Sequence, residues 1–311
     1  MKNDGAQYDK LKMRYYSDNY RGVHASRACK KGETILYVPL KEIITLEMCM
    51  ESPIGALMYK RNFRSRLLSP KHSFFSCFLM EETRKPDSYW TKYIDILPKS
   101  FEVYPIFYDE EELTWLENTD MTRMVKTKLE DMKTDYDLIC EEVPAFSQFP
   151  LKEYMEKRLL VASRIFGIAV GELKTDGFVP YADMLNHKRP RETSWTYCDE
   201  RQGFIIDAIV DIERGQPIHD SYGRKSNTRF LLNYGFINRN NDANDLPMAF
   251  SISPEDPLFM TKMKLMGSTG NRIHNYNVMA DYNEDVYVKF MSYQRYIDYD
   301  ESEDNLMKIV G

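Results

Sequence analysis

Residues 221–236 read SYGRKSNTRFLLNYGF, and about 35 residues upstream residues 181–187 read YADMLNH. Taken as residues alone, the longer segment is a turn followed by an amphipathic helix. The shorter is a polar cluster behind a Gly- and Pro-containing loop. Asp183, Asn186 and His187 are then open to two readings: loop residues that satisfy their own backbone, or parts of a site.

Upstream of this pair, Glu153 to Val170 places Met155, Leu159, Ala162, Phe166 and Ala169 at i, i+4, i+7, i+11 and i+14, one face of a helix. Residues 53–165 read as helical throughout, with Ser73 to Glu82 apolar and free of Gly and Pro, and Asp109 to Met132 a charge-rich, solvated helical pair. Gly22 to Pro39 reads as short strands around the punctuation Lys30-Lys31-Gly32. Downstream, Gly203 to Ile212 is a strand signal ended by Glu213-Arg214-Gly215, and residues 241–311 return to mixed helical character behind Pro247, Pro254 and Pro257. Strands at both ends of the first 240 residues with helices between them predict an α+β domain, residues 1–240, holding a helical insertion over about 53–155. A second, short helical region follows over 241–311.

Composition bounds the function. The chain has 311 residues, 43% of them hydrophobic and 13% aromatic with 22 Tyr, which fits a packed protein and not a disordered one. A formal charge of −6 disfavours nucleic acid as a partner, because phosphate binding needs a concentrated basic face. Cys29, Cys49, Cys77, Cys140 and Cys198 are odd in number and form no C-x-x-C pair, as expected of reduced thiols in an intracellular protein, cytoplasmic or nuclear. The five His show no metal-ligand spacing, so no metal is expected. No run is long and apolar enough to span a membrane, and no G-x-G-x-x-G or G-x-x-x-x-G-K-[ST] suggests a nucleotide-phosphate site.

The two opening segments together resemble the SET-domain methyltransferases, in which an Asn-His pair and a Y-G-x-x-S-N…Y-G-F run lie side by side. Four further stretches resemble the Rubisco-methyltransferase and actin-histidine methyltransferase branch: ASRIF (162–166), the span from Arg21 to Pro39, SFFSCFLMEETRKPDSYWTKYIDILP (73–98) and DPLFMTKMKLM (256–266). The resemblance covers about Gly5 to Arg295. It implies a SET-domain β-fold with a helical insertion and a reduced or truncated helical substrate-binding-like region. It also implies S-adenosylmethionine as cofactor and a protein or peptide as substrate. No nucleic-acid or membrane partner is expected, and the chain is expected to be a monomer.

By the same resemblance, Tyr222 is the catalytic tyrosine at the point of methyl transfer. Arg164 meets the cofactor carboxylate, since a guanidinium matches it bidentately. Asn186 and His187 meet its amine and adenine, backbone groups near Arg21 and Val23 hold its methionine end, and Asp183 orients the site. Tyr234 and Phe236 line the target channel, and Trp195 or Tyr197 closes its outer wall. The family often has a Glu just before the second strand, where this chain has Asn19-Tyr20-Arg21. The histidine-modifying relative carries an Asn two residues after the basic cofactor contact. Phe166 stands there in this chain, as in lysine-modifying members, so lysine is the expected target and histidine the alternative. A catalytically silent SET-like binding protein is the reading outside enzymology.

Overall fold

The computed structural model of the chain describes residues 5–18, 20–265 and 273–279. The chain divides into two compact units, Met1–Gly223 with Arg229–Phe236, and Arg224–Thr228 with Ile237–Gly311. The first opens with β1 (Leu11–Ser17), β2 (Tyr20–Ala25), β3 (Thr34–Pro39) and β4 (Ile44–Thr45). A helical block follows: α1 (Leu46–Glu51), α2 (Pro53–Lys60), α3 (Pro70–Arg84), α4 (Thr91–Ile96), α5 (Glu110–Thr114), α6 (Asp120–Glu142) and α7 (Leu151–Arg164). Then come β5 (Ile165–Val170), β6 (Leu173–Phe178), β7 (Asn186–His187), β8 (Thr193–Cys198), β9 (Gly203–Ala208), β10 (Pro217–Asp220) and α8 (Asn227–Tyr234), whose last six residues rejoin this unit.

Three small sheets frame the first unit, in strand orders β1-β2-β10-β7, β3-β9-β8 and β4-β6-β5. In the first of them β10 runs antiparallel to β2 but parallel to β7, with His219 opposite Asn186 and Asp220 opposite His187. That register sets the two motifs of the sequence reading beside one another. The helical block supplies the core. On α3, Phe74, Phe75, Cys77, Leu79 and Met80 are buried, and its partner α7 buries Tyr154, Leu159, Leu160 and Val161. Local signals place the helix starts: Ser52 accepts from Gly55 N at 3.1 Å ahead of Pro53, and Asp109 and Glu112 close a capping box. No described helix is long and apolar enough to cross a membrane.

Two sequence expectations change. The helix expected over Glu153 to Val170 ends at Arg164, and Ile165–Val170 pairs antiparallel with β6 from Ile165↔Phe178 to Val170↔Leu173. The apolar spacing continues through Phe166 and Ala169 by coincidence. Strand preference wins because IFGIAV is rich in β-branched and aromatic residues and closes a hairpin through Gly171 at φ +58°. In the second unit, the described residues are less helical than expected. β11 (Asp245–Ser251) and β12 (Ile273–Met279) form an antiparallel pair, and α9 (Phe259–Leu265) is the helix between them. The run DLPMAFS alternates like a strand and carries Pro247, which a helix interior does not tolerate.

Candidate active site

Arg164 ends α7, where its side chain leaves the helix and turns under the 3-10 turn Ala182–Met184. Its Nη1 donates to the Asp183 carbonyl at 2.7 Å and to Asp183 Oδ2 at 3.2 Å. The Tyr93 hydroxyl of α4 donates to the same Oδ2 at 2.8 Å. Asp183 is shut away from solvent, and burial pushes its carboxyl up, opposed by Arg164 and Tyr93. Asp183 Oδ1 and Arg164 Nε are buried without hydrogen-bond partners among the described residues. Arg21 of β2 donates through Nη2 to Met184 Sδ at 3.1 Å and to the Ile96 carbonyl. Burial, with the charge of Arg164 next, lowers the Arg21 guanidinium. Two cations thus share the neighbourhood of one buried carboxylate, an arrangement with room for a further anion.

Tyr181, which enters this turn, is held at φ +75°, a conformation that costs a non-glycine residue about 1–3 kcal/mol. Its ring stacks on Tyr8 at 5.0 Å. After the turn, Asn186 Nδ2 donates to the Arg21 carbonyl at 2.9 Å. Gly22 makes that approach possible, because a Cβ there would lie 3.1 Å from Asn186 Nδ2 and 2.7 Å from the Tyr16 hydroxyl.

Tyr222 follows β10. Its backbone N–H donates to His187 Nδ1 at 2.9 Å and its hydroxyl donates to the Leu185 carbonyl at 2.7 Å. Burial holds the phenol well above its ordinary range, so it stays protonated at neutral pH. The ring stacks between His187 and Tyr234, each at 5.1 Å, and Phe236 meets its edge at 6.3 Å. Phe230 of α8 completes the set, 4.8 Å from His187 and 5.0 Å from Phe236. Gly235 allows the turn between Tyr234 and Phe236: its φ is +73°, and a Cβ would meet Val103 Cγ2 at 2.8 Å. Asp220 beneath this group is buried, and burial pushes its carboxyl up to about 6.

Arg21, Arg164, Asp183, Asn186 and Tyr222 line one cavity of about 360 Å³, within the usual range for a small-molecule site. The other residues singled out in the sequence lie elsewhere. Val23 is fully buried in mid-strand between Met13 and Ile218, and it does not line the cavity. The His187 ring accepts from the Tyr222 backbone N–H and packs against the aromatic set. Phe166 and Trp195 form a second aromatic set with Phe204: Phe166 meets Trp195 edge-on at 5.3 Å, and Trp195 stacks on Phe204 at 5.5 Å. Trp195 and Tyr197, the residues expected at the outer wall, both lie on β8. The Tyr197 hydroxyl is buried with no partner among the described residues. Asn19 lies outside the described residues. In the second unit, the motif's Asn227 donates to the Asn238 carbonyl at 2.9 Å and accepts from Asn238 N at 3.0 Å.

Sequence reading missed Tyr93, Met184, Phe230 and the Leu185 carbonyl. Tyr93 and Asp183 are 90 positions apart, and no spacing rule links them.

The fold and this cavity define a class. A SET-domain family profile matches residues 20–223, and the chain belongs to the SET-domain family. Among curated proteins it is similar to actin-histidine N-methyltransferase of Mus musculus, 27% identical over 280 residues, and to that of Homo sapiens, 26% identical over 280 residues. In each case the match takes in 86% of this chain and 46% of the relative, so the chain spans about half the length of these proteins. In fold it is similar to the SET domain of LSMT bound to lysine and AdoHcy, with a TM-score of 0.77 at 22% identity over 95% of this chain and 68% of that one. Rubisco LSMT bound to AdoMet gives a TM-score of 0.75 at 22% identity over 93% and 66%.

Proposed function

We propose that the chain transfers the methyl group of S-adenosylmethionine to a nitrogen at the end of a protein side chain, lysine in the first instance. The observation that carries the reading is the single cavity lined by Arg21, Arg164, Asp183, Asn186 and Tyr222, with the Tyr222 hydroxyl anchored on the Leu185 carbonyl. The residues fit the cofactor. Arg164, whose Nε lacks a partner, and Arg21 would hold its carboxylate, and the Asn186 amide would meet its amine. When bound, the cofactor supplies an electrophilic methyl carbon on a positively charged sulfur.

The chain's own residues then have two tasks. A lysine near pKa ~10.4 must lose its proton, which costs roughly 4 kcal/mol at neutral pH. Desolvation between Tyr222, Tyr234 and Phe236 lowers that cost, because an apolar wall disfavours the ammonium. The protonated Tyr222 phenol, its O–H committed to Leu185, turns its oxygen lone pairs to the incoming nitrogen and aligns it. Alignment alone contributes several kcal/mol, out of the roughly 7–11 kcal/mol that good orientation can supply.

Phe166 supports lysine, since its ring sits among Trp195 and Phe204 and offers an imidazole no polar partner. A histidine target is supported by the names of the mouse and human relatives. An imidazole also avoids most of the deprotonation cost, its ordinary pKa being ~6.5. Incorporation of labelled methyl into paired peptides, one with lysine and one with histidine at the target, tests both. The lysine reading fails if the wild type modifies only the histidine peptide, and Phe166→Asn then has no preference to reverse. Binding of the cofactor without turnover on any protein substrate would sink the transfer reading itself.

The same proposal places the reaction inside the cell, in cytoplasm or nucleus, on a protein or peptide. The five free thiols support this. It takes the active form as a monomer without nucleic-acid or membrane partners, which light scattering of the full chain checks. The second unit is assigned to substrate binding.

A further inference from the structure

A second cavity, of about 380 Å³, lies among α3, α6, α7 and α8, and the lysine that lines it makes no ion pair among the described residues. Lys128 of α6 lines it. Among the described residues, Lys128 Nζ donates to the Leu232 carbonyl and to Asn233 Oδ1, both at 2.8 Å and both uncharged. Burial first, and then the positive charge of Arg158, push this ammonium down to about 7.

Arg158, whose side chain is 4% exposed, lines the same cavity. Its Nη1 already serves Asp135 Oδ2 at 2.9 Å, Ser73 at 3.2 Å and Tyr154 at 2.9 Å, while its Nε is buried with no partner among the described residues. The negative charge of Asp135 is spent elsewhere as well, on the backbone N–H groups of Leu68 at 2.7 Å and Ser69 at 3.1 Å.

Three more titratable groups face the space. Arg123 is paired with Asp120 at 2.8 Å. His72 is held down to about 3 by burial, with Arg158 and Lys71 adding to it, and is therefore neutral and able to share a hydrogen bond. Asp131 is the carboxylate of the lining, and it makes no hydrogen bond to Lys128. A buried lysine whose charge interaction is with another cation holds its proton at a cost, and it sheds that proton near neutral pH unless something negative joins it.

We propose that this cavity binds a small oxyanion, a carboxylate or a phosphate, held by Lys128 and Arg158. The guanidinium offers in-plane donors and the ammonium a point charge, a pairing suited to an oxyanion and unsuited to a cation or an apolar ligand. Met124, Met132, Ala162 and Leu232 supply apolar wall, so the ligand carries its charge at one end or is small enough to reach only the cationic floor.

The test uses the full chain. Inorganic phosphate, acetate and the blocked peptide acetyl-Gly-Glu-Gly-amide are titrated calorimetrically at constant ionic strength, with chloride as the reference salt. Saturable binding of at least one probe is expected, weakened roughly 10- to 100-fold in Lys128→Met, which keeps the stem and removes the charge. Preference for the peptide over acetate assigns the carboxylate to a protein segment; preference for phosphate or acetate assigns it to a free anion. On the wild type alone, carbon NMR of labelled lysine should find the Lys128 midpoint rising from about 7 towards the ordinary lysine range when the anion saturates. The inference is overturned if no probe binds beyond chloride, if Lys128→Met binds as tightly as wild type, or if the Lys128 midpoint does not move under saturating anion.

Discussion

Two of the aromatic sets in the first unit are built on different rules. Around Tyr222, two of the packed rings are tied by hydrogen bonds, the phenol to Leu185 and the His187 imidazole to the Tyr222 amide, while Phe230, Tyr234 and Phe236 pack against them. Around Phe166, the rings of Trp195 and Phe204 meet as hydrocarbon, with Trp195 36% exposed at the edge. The first set has two of its rings oriented by hydrogen bonds. The second is oriented by packing alone, with Phe204 fully buried. A reacting atom needs fixed neighbours, whereas a wall that only excludes water tolerates exchange.

Arg164→Met removes the partner of a buried carboxylate, and a loss of about 3–5 kcal/mol in denaturant-measured stability is expected. The loss should shrink as acid protonates Asp183, whose carboxyl burial already pushes up. A variant of unchanged stability would mean that the pair is not the support of the first set. Next, Tyr222→Phe should lower methyl incorporation roughly 10²- to 10³-fold, as removal of one oriented polar group at a reaction centre does. Its stability should fall by only about 1 kcal/mol for the lost bond to Leu185.

Asp220 tests the charge under the first set with a defined sign. Its folded pKa, about 6, lies above the ordinary 3.8, so its ionised form opposes folding. That penalty is complete above pH 6 and fades as the pH falls from 6 towards 3.8, where the folded state binds the extra proton. Asp220→Asn should therefore stabilise the chain by up to ~3 kcal/mol at pH 8 and by about half of that at pH 5. Equal effects at the two pH values would remove Asp220 as a buried acid. The smallest change belongs to the second set: Trp195→Leu should cost about 0.5–1.5 kcal/mol in thermal or denaturant unfolding. It should shift the balance between lysine and histidine peptides more than it slows either. A slowed reaction with unchanged preference would erase the contrast.

The first set was largely legible in the chain because its members lie in two short segments whose residue types are unusual together. His187, Tyr222, Tyr234 and Phe236 all come from those segments. Its supports were not legible. Tyr93 reaches Asp183 across the whole helical block, and the Leu185 contribution is a carbonyl, which every residue possesses. Phe230 was read only as part of an amphipathic helix. The second set was misread locally, since helical spacing ran on into Ile165–Val170 and concealed the hairpin that carries Phe166. The uncompensated Lys128 was invisible for the opposite reason: a lysine on a charged helix looks solvated until its neighbours are known.

The junction where α7 becomes β5 sets Arg164 and Phe166 of the second set two peptide bonds apart. Arg164 is the last helical residue and Phe166 the second of the strand. Strand side chains alternate in direction, so one residue inserted between 164 and 165 would leave the guanidinium where it is. It would invert every later position up to the hairpin. Ile165 or Gly167 would then face the way Phe166 now faces, and the wall would lose its ring without any substitution in it. A frame shift of 3.3 Å or so along one ladder is thus a route to a new target preference that leaves the charged floor intact.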